Sequence, residues 1–442
     1  MDISIRFEPE VDPMLAADIK EPLTAALSFD GMVSELVTRY KELWWSCATD
    51  LPELGPTYSL NEKKAREAHL SGSLEQLGEQ LKQIAHVHPD RQALQEQLFP
   101  LAGTILQTSF DLANRHFVAL TSYGFTEAVI EFVRQARQFD PQISATDIYQ
   151  AGRNAWSMNL MQYLLGLPVA VTPSVLAYSL LYPYSDNYLD DPGRTAKEKA
   201  AFSRAFEQRL QGQAVIPDNP VEQKIFELVG MIESQFLRSR YPDVYASLMA
   251  IFRAQAASLR LQAPQGSPYE VDVLGLTFDK GGTAVLADGY LVAGSLTPLQ
   301  QEFSFYYGAF TQLMDDLEDV QADRQAGIQT VFSQTAGRWP LDAVTSRLMV
   351  FGNGLLEAMQ QFHVAGLDTL EEVMRKCITP LLIDSASRAG SLYNRGYMAE
   401  LERHSPYRFG QLKKVRRKVS QRFSTEEIVE MILRAEATGG DQ

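Results

Sequence analysis

Apolar residues recur along most of this chain at three- and four-residue steps, and strict alternation is scarce. That step is the period of a helix with one buried face. It predicts helices over residues 31–48, 62–87, 91–137, 145–165, 173–190, 196–211, 220–238, 242–261, 297–323, 340–363, 367–396 and 424–437. Thr172-Pro173 and Thr297-Pro298 mark two starts. Each pairs a capping hydroxyl with a proline at the first helical position. Gly212, Pro217 to Pro220, and Pro264 to Pro268 mark loops. The tail Thr438 to Gln442 should fray. No fixed-period repeat or long low-complexity linker divides the chain, so one continuous all-α unit is expected. Within it, residues 1–115 are read as a helical layer, with Trp44-Trp45 and the polar segment 62–87, packed on a main domain over 116–437.

Composition narrows the function classes. The chain has 442 residues, is 45% hydrophobic and carries a formal net charge of −15. A sizeable core is expected, and general nucleic-acid binding, which needs a broad basic surface, is not. Cys47 and Cys377 stand far apart with no CxxC spacing, so neither a disulfide framework nor a zinc site is expected, and a reducing cytoplasm is. Met1 to Arg6 lacks the basic-then-apolar order of a signal peptide. No charged residue or histidine occurs between Arg153 and Asp186, but Gly166, Pro168 and Pro173 divide that stretch. It reads as two buried helices rather than a transmembrane span.

Two acidic clusters carry the chemistry. One is Asp186-Asn187-Tyr188-Leu189-Asp190-Asp191, and the other is Asp315-Asp316-Leu317-Glu318-Asp319. Acids three or four residues apart share a helix face. Two such faces turned together offer the hard oxygen ligands that Mg²⁺ prefers, with water and substrate phosphate completing its octahedron. Phe305, Gly308, Gln312, Asp315 or Asp316, and Asp319 form a stripe. The small Gly308 there lets another backbone or a substrate chain approach, and Gln312 could orient a metal-bound water. The plain alternative is a solvated helix end, which accounts for Asp316 and Glu318 but not for acids that follow the aromatic run Phe303 to Met314. Asp190-Asp191-Pro192-Gly193 also reads as a turn, which accounts for Asp191 but not for Asp186. Between the clusters lies Asp279-Lys280-Gly281-Gly282-Thr283. Lys280 can neutralise a phosphate. The glycines would break or kink a helix and turn backbone N–H groups toward an anion.

Gly308-x-x-x-Gln312-x-x-Asp315-Asp316-x-x-Asp319 resembles the second aspartate-rich motif of trans-prenyl diphosphate synthases. Lys280-Gly281-Gly282 falls where that superfamily has a lysine-containing helix break. Asp186-x-x-x-Asp190-Asp191 is similar to the DxxxD first motif of squalene and phytoene synthases. The resemblance, to the class I isoprenoid synthases, spans residues 145–330 in motif order. It implies a helical bundle around a deep apolar cavity, three Mg²⁺ ions and an allylic prenyl diphosphate substrate. Asp186, Asp190, Asp191, Asp315, Asp316 and Asp319 would hold metal. Arg153, Lys280, Gly281, Arg324, Arg408 and Lys413 would bind diphosphate. Trp156, Tyr163, Tyr178, Tyr182, Phe305 and Gln312 would line the cavity; core packing is the plain alternative for each aromatic.

Within the superfamily the departures matter. Gly152-Arg153-Asn154 stands where a chain-elongating enzyme has Gly-Lys-Arg, and only Arg194 follows the first motif. A second diphosphate site is thus in doubt. A terpene synthase of the bacterial class IB type fits better, although Pro183 precedes its first motif and no Asn-Ser-Glu metal motif is present. Prenyl transfer, by elongation or head-to-head condensation, and a non-catalytic isoprenoid-binding role are the alternatives. The basic segment 403–418 would close over the diphosphate or touch an anionic membrane surface, with a solvated face as its plain reading. A homodimer would follow by analogy.

Overall fold

The computed structural model describes residues 28–86, 103–105, 107, 109–262, 270–422 and 425–437. It is 77% helical with no strand among the described residues, so the fold is all-α. The loop expected at 264–268, the stretch 91–102 and the tail 438–442 lie outside those residues.

The element at the centre is one the sequence pattern missed. Helix Val273–Ala293 packs against Phe29–Ser46, Ala145–Leu164, Pro173–Asp190, Pro242–Ser258 and Pro298–Glu318. In chain order these are α1 (Phe29–Ser46), α2 (Leu60–His86), α3 (Asn114–Ser122), α4 (Phe125–Phe139), α5 (Ala145–Leu164), α6 (Pro173–Asp190), α7 (Ala196–Leu210), α8 (Pro220–Gln235), α9 (Pro242–Ser258), α10 (Val273–Ala293), α11 (Pro298–Glu318), α12 (Val320–Ala326), α13 (Val331–Thr335), α14 (Asp342–Met359), α15 (Leu367–Arg388), α16 (Arg395–His404), α17 (Phe409–Arg422) and α18 (Thr425–Ala437). A helix buried on nearly all sides needs apolar residues all round, which erases the amphipathic signal. In α10 only Asp279, Lys280, Ala284 and Ala293 escape full burial.

Gly281 and Gly282 do not break this helix, which runs on to a C-cap at Gly294. They are where α11 crosses it. A Cβ on Gly281 would lie 2.5 Å from the Gly308 carbonyl oxygen, and one on Gly282 would enter the Phe305 ring. Gly308 admits the Gly281 backbone, not a substrate chain. The aromatic layer behind the crossing is Phe305, Tyr40 and Tyr306, with Tyr40 stacked 5.8 Å from Phe305. Burying each such side chain stabilises the fold by roughly 2 kcal/mol.

Three other expected helices are divided. Gly124, at φ +86°, separates α3 from α4. The last segment of 297–323 turns at Asp319, leaving α12 separate. The stretch 367–396 ends at Arg388 and resumes at Arg395 after a 3₁₀ turn. Conversely, α6 passes through Pro183 without ending. Thr172 and Thr297 cap as expected, accepting bonds from Val175 N–H and Gln300 N–H. The N-terminal helix α1 shares the main core: Met32, Leu36, Tyr40 and Trp44 are buried in one apolar cluster with α10, α11 and α14. No helix among the described residues is long and apolar enough to cross a membrane.

Candidate functional site

Four helix faces meet along one seam. On α10 it is Lys280, Ala284 and Asp288; on α6, Tyr178, Tyr182 and Asp186; on α11, Tyr307, Thr311 and Asp315. Each set is spaced by four residues and so lies on one face. Arg153, Asn154 and Ser157 of α5 complete it. The links across it are explicit. Arg153 reaches Asp315 at 3.5 Å. Asn154 Nδ2 donates to Ser179 Oγ at 3.3 Å and to Asp288 Oδ1 at 3.4 Å. Ser157 Oγ donates to Asp288 Oδ2 at 2.8 Å, and Tyr178 Oη donates to the Ala284 carbonyl at 3.4 Å. Although α10 is surrounded, Ala284, Tyr178, Tyr307 and Ser157 along the seam are only partly buried.

At its outer end the two acidic clusters converge on Lys280. Its ammonium acts on Asp186 of α6, Asp315 and Asp316 of α11, and Asp323 of α12. Tyr182 feels both Asp186 and Asp315, and burial first and these acids second push its hydroxyl up to about 12. Burial raises Asp186 to about 6, against the pull of Lys280 and with Asp190 adding to the rise. Burial raises Asp316 to about 7, although Gln312 Nε2 donates to it at 3.1 Å. Asp323 is lifted to about 6 by burial and then by Asp319. Burial also raises Asp315, with Arg153 opposing. Four carboxyls thus feel Lys280, and the exposed Asp190 and Asp319 add their charge to Asp186 and to Asp315 and Asp323. Negative charge is in excess there, and a cation entering would relieve it.

Not every expected residue lies at this mouth. Asp191 forms a turn, accepting Gly193 N–H at 2.8 Å and facing Arg194 at 3.5 Å. Gly281 is buried under Gly308 and Gln312, so its N–H stays inside the helix. Phe305 fills the crossing rather than the seam. Trp156 packs on Phe125 at 4.8 Å, and Tyr163 packs tilted against Tyr123 at 4.6 Å and donates to the Ala365 carbonyl. Arg408 is committed to Glu67, with Nε 3.0 Å from Oε1, and so ties α17 to α2. Lys413 is exposed on α17, which packs against α2 and α15. Arg324 is exposed on α12 and lies over Gly337. The sequence reading overlooked Asp288, Asn154, Ser157, Tyr307 and Asp323. A four-residue stripe Lys280-x-x-x-Ala284-x-x-x-Asp288 was their one available signal, and the glycine pair inside it suggested a loop.

Among the described residues no three acids, histidines or cysteines come close enough to hold an ion by themselves. Mg²⁺ commonly takes one or two protein carboxylates and fills the rest of its shell with water and phosphate, and Asp186 and Asp315 fit that smaller demand. Two cavities lie elsewhere among the described residues. One of about 560 Å³ lies among Asp30, Arg253, Asp272 and Asp279, and one of about 300 Å³ among Asp140, Tyr184, Asp191 and Arg194. Both are lined by charges, unlike the expected apolar cavity. No family model, curated protein or solved structure matches this chain.

Proposed function

We propose that this protein is a class I terpene synthase, acting on one allylic prenyl diphosphate. The observation that carries the reading is the meeting of two acidic clusters, from α6 and α11, over Lys280 at the outer end of a tyrosine-lined seam. Asp186, Asp190, Asp315, Asp316 and Asp319 would hold Mg²⁺. When bound, Mg²⁺ supplies the positive charge that grips the diphosphate and stabilises it as a leaving group.

The chain's own residues do the rest. Lys280 and Arg153 meet the diphosphate oxygens as point charge and fork. Loss of diphosphate leaves an allylic cation, which survives only where water is excluded. The faces of Tyr178, Tyr182 and Tyr307 offer it negative potential. Chain elongation would need a second diphosphate site. Arg194, the arginine that follows the first cluster, is instead held over the Tyr188 ring at 4.1 Å, which favours the single-substrate reaction.

The test is product analysis after incubation with Mg²⁺ and C10, C15, C20 or C25 prenyl diphosphates, each with and without isopentenyl diphosphate. A hydrocarbon or alcohol from one diphosphate alone is expected, and Asp315→Ala should abolish it. A product that needs isopentenyl diphosphate would make the protein a prenyltransferase. No diphosphate release from any substrate would sink both and leave a binding role.

A further inference from the structure

Away from the seam, faces of α1, α9 and α10 enclose the cavity of about 560 Å³. Asp30, Val33 and Val37 of α1 stand at three- and four-residue steps, and so share one face. Leu276 and Asp279 do the same on α10, and Arg253 comes from α9. Asp279 is one residue before Lys280, which turns it about 100° around the helix from the seam. A cavity of this volume is of the size that holds a small organic molecule.

The charges lining it are matched except one. Arg253 Nη1 donates to Asp30 Oδ2 at 2.7 Å. Asp272 is paired with Lys41 and also accepts Gly275 N–H at 2.9 Å. Arg260 Nη2 donates to the Glu270 carbonyl at 3.2 Å. Each cation at the cavity therefore has an oxygen partner already. The Asp279 carboxyl has no hydrogen-bond or ion-pair partner among the described residues, and the charge that acts on it is the like-signed Asp30. Burial raises its pKa to about 6, and Asp30 adds to the rise. At neutral pH it is still ionised, and an anion withdrawn from water without a counter-charge favours the arrival of a cation.

The walls say which cation. Val33, Val37 and Leu276 make one side aliphatic. A hydrated metal ion would leave that side wet, whereas an organic chain would cover it and gain from the burial. No aromatic residue is among the described residues that line the cavity, so a quaternary ammonium finds no ring faces to hold it. A primary ammonium brings three N–H donors, which suit carboxylate oxygens.

We propose that this cavity binds an aliphatic primary amine, its ammonium on Asp279 and Asp30 and its chain against Val33, Val37 and Leu276. The site uses none of the residues assigned to the seam and stands whatever reaction occurs there.

The experiment is isothermal titration calorimetry of the full chain with n-hexylamine at pH 7.5, where the amine is protonated. Saturable binding of one amine per chain is expected. Neutral n-hexanol and donor-free tetramethylammonium should each bind more weakly by about tenfold or more. Asp279→Asn, which keeps the shape of the side chain, should cost as much. Lowering the pH to 5 should weaken wild-type binding by about tenfold, because a proton on Asp279 replaces the ammonium; this readout needs no variant. Asp315→Ala should bind hexylamine as wild type does. The site is overturned by absent binding, by hexanol binding equally well, or by affinity unchanged in Asp279→Asn or at pH 5. Loss of binding in Asp315→Ala would place the amine at the seam and overturn it too. Displacement of the amine by stoichiometric MgCl₂ would make the cavity a metal site instead.

Discussion

The two sides of α10 use the same kind of small residue to opposite ends. On one side Gly281 and Gly282 bring α11 in until Gly308 touches backbone, and nothing is left between them. On the other, Ala284 sits between Lys280 and Asp288, and the helix retains accessible surface there. Smallness closes one face because its partner is also small. It leaves the other less tightly packed because the residues across it include Tyr178, whose hydroxyl bonds to the Ala284 carbonyl, and a serine tied to an acid. A small residue therefore says nothing by itself about whether a face is packed or open; the opposing residue decides.

The strongest way to break this comparison is at the crossing. Gly308→Ala would force its Cβ into the Gly281 carbonyl, and backbone cannot swing aside as a side chain can. A loss of about 3 kcal/mol or more is expected, measured by denaturant unfolding; a loss below about 1 kcal/mol would mean the two helices are not held this close.

On the open face the sign of a pH effect is the test. Asp288 titrates higher in the folded state, near 8, than an unfolded aspartate near 3.9. Its contribution to stability is therefore fully present below pH ~4, and is lost as pH rises toward and through ~8. Asp288→Asn should flatten the decline between those limits by an amount on the order of a few kcal/mol. Parallel unfolding curves at pH 5 and pH 8 decide it, and unchanged pH dependence would mean the acid is already ionised.

At the mouth the expected effect is smaller. Mg²⁺ and inorganic diphosphate together should stabilise the protein by ~1 kcal/mol at concentrations a few-fold above Kd, and neither alone should match that. Asp315→Ala should erase the thermal shift. Smallest of all is a glycine with no partner: Gly72, exposed in α2, has nothing within 4 Å of a built Cβ. Gly72→Ala should stabilise by about 0.5–1 kcal/mol, a gain that calorimetry resolves and that sharpens the contrast with Gly308.

Much of the bundle was legible because most helices bury one face. The starts at Thr172 and Thr297, and the meeting of Asp186 with Asp315 around Lys280, follow from capping chemistry and four-residue spacing. What failed has a common physical origin. Helix α10 is buried nearly all round and carries Gly275, Gly281, Gly282 and Gly289, so neither periodicity nor propensity marked it. Tertiary contact overrode both. Arg408 looked like a phosphate ligand because its partner Glu67 is 341 positions away. Asp288 was invisible for a related reason: its significance comes from Ser157 and Asn154, more than 130 positions earlier.

The crossing at Gly281 and Gly308 also governs motion. Two helices whose backbones touch cannot slide past each other without climbing over a carbonyl, so α10 and α11 move as one rod. Lys280, Asp315 and Asp316 then keep a fixed spacing. Arg153 and Asp186 ride on α5 and α6, a second pair packed together. The Arg153–Asp315 contact at 3.5 Å joins the two pairs at the outer end of the seam, and the bonds of Asn154 and Ser157 to Asp288 and of Tyr178 to the Ala284 carbonyl join them further in.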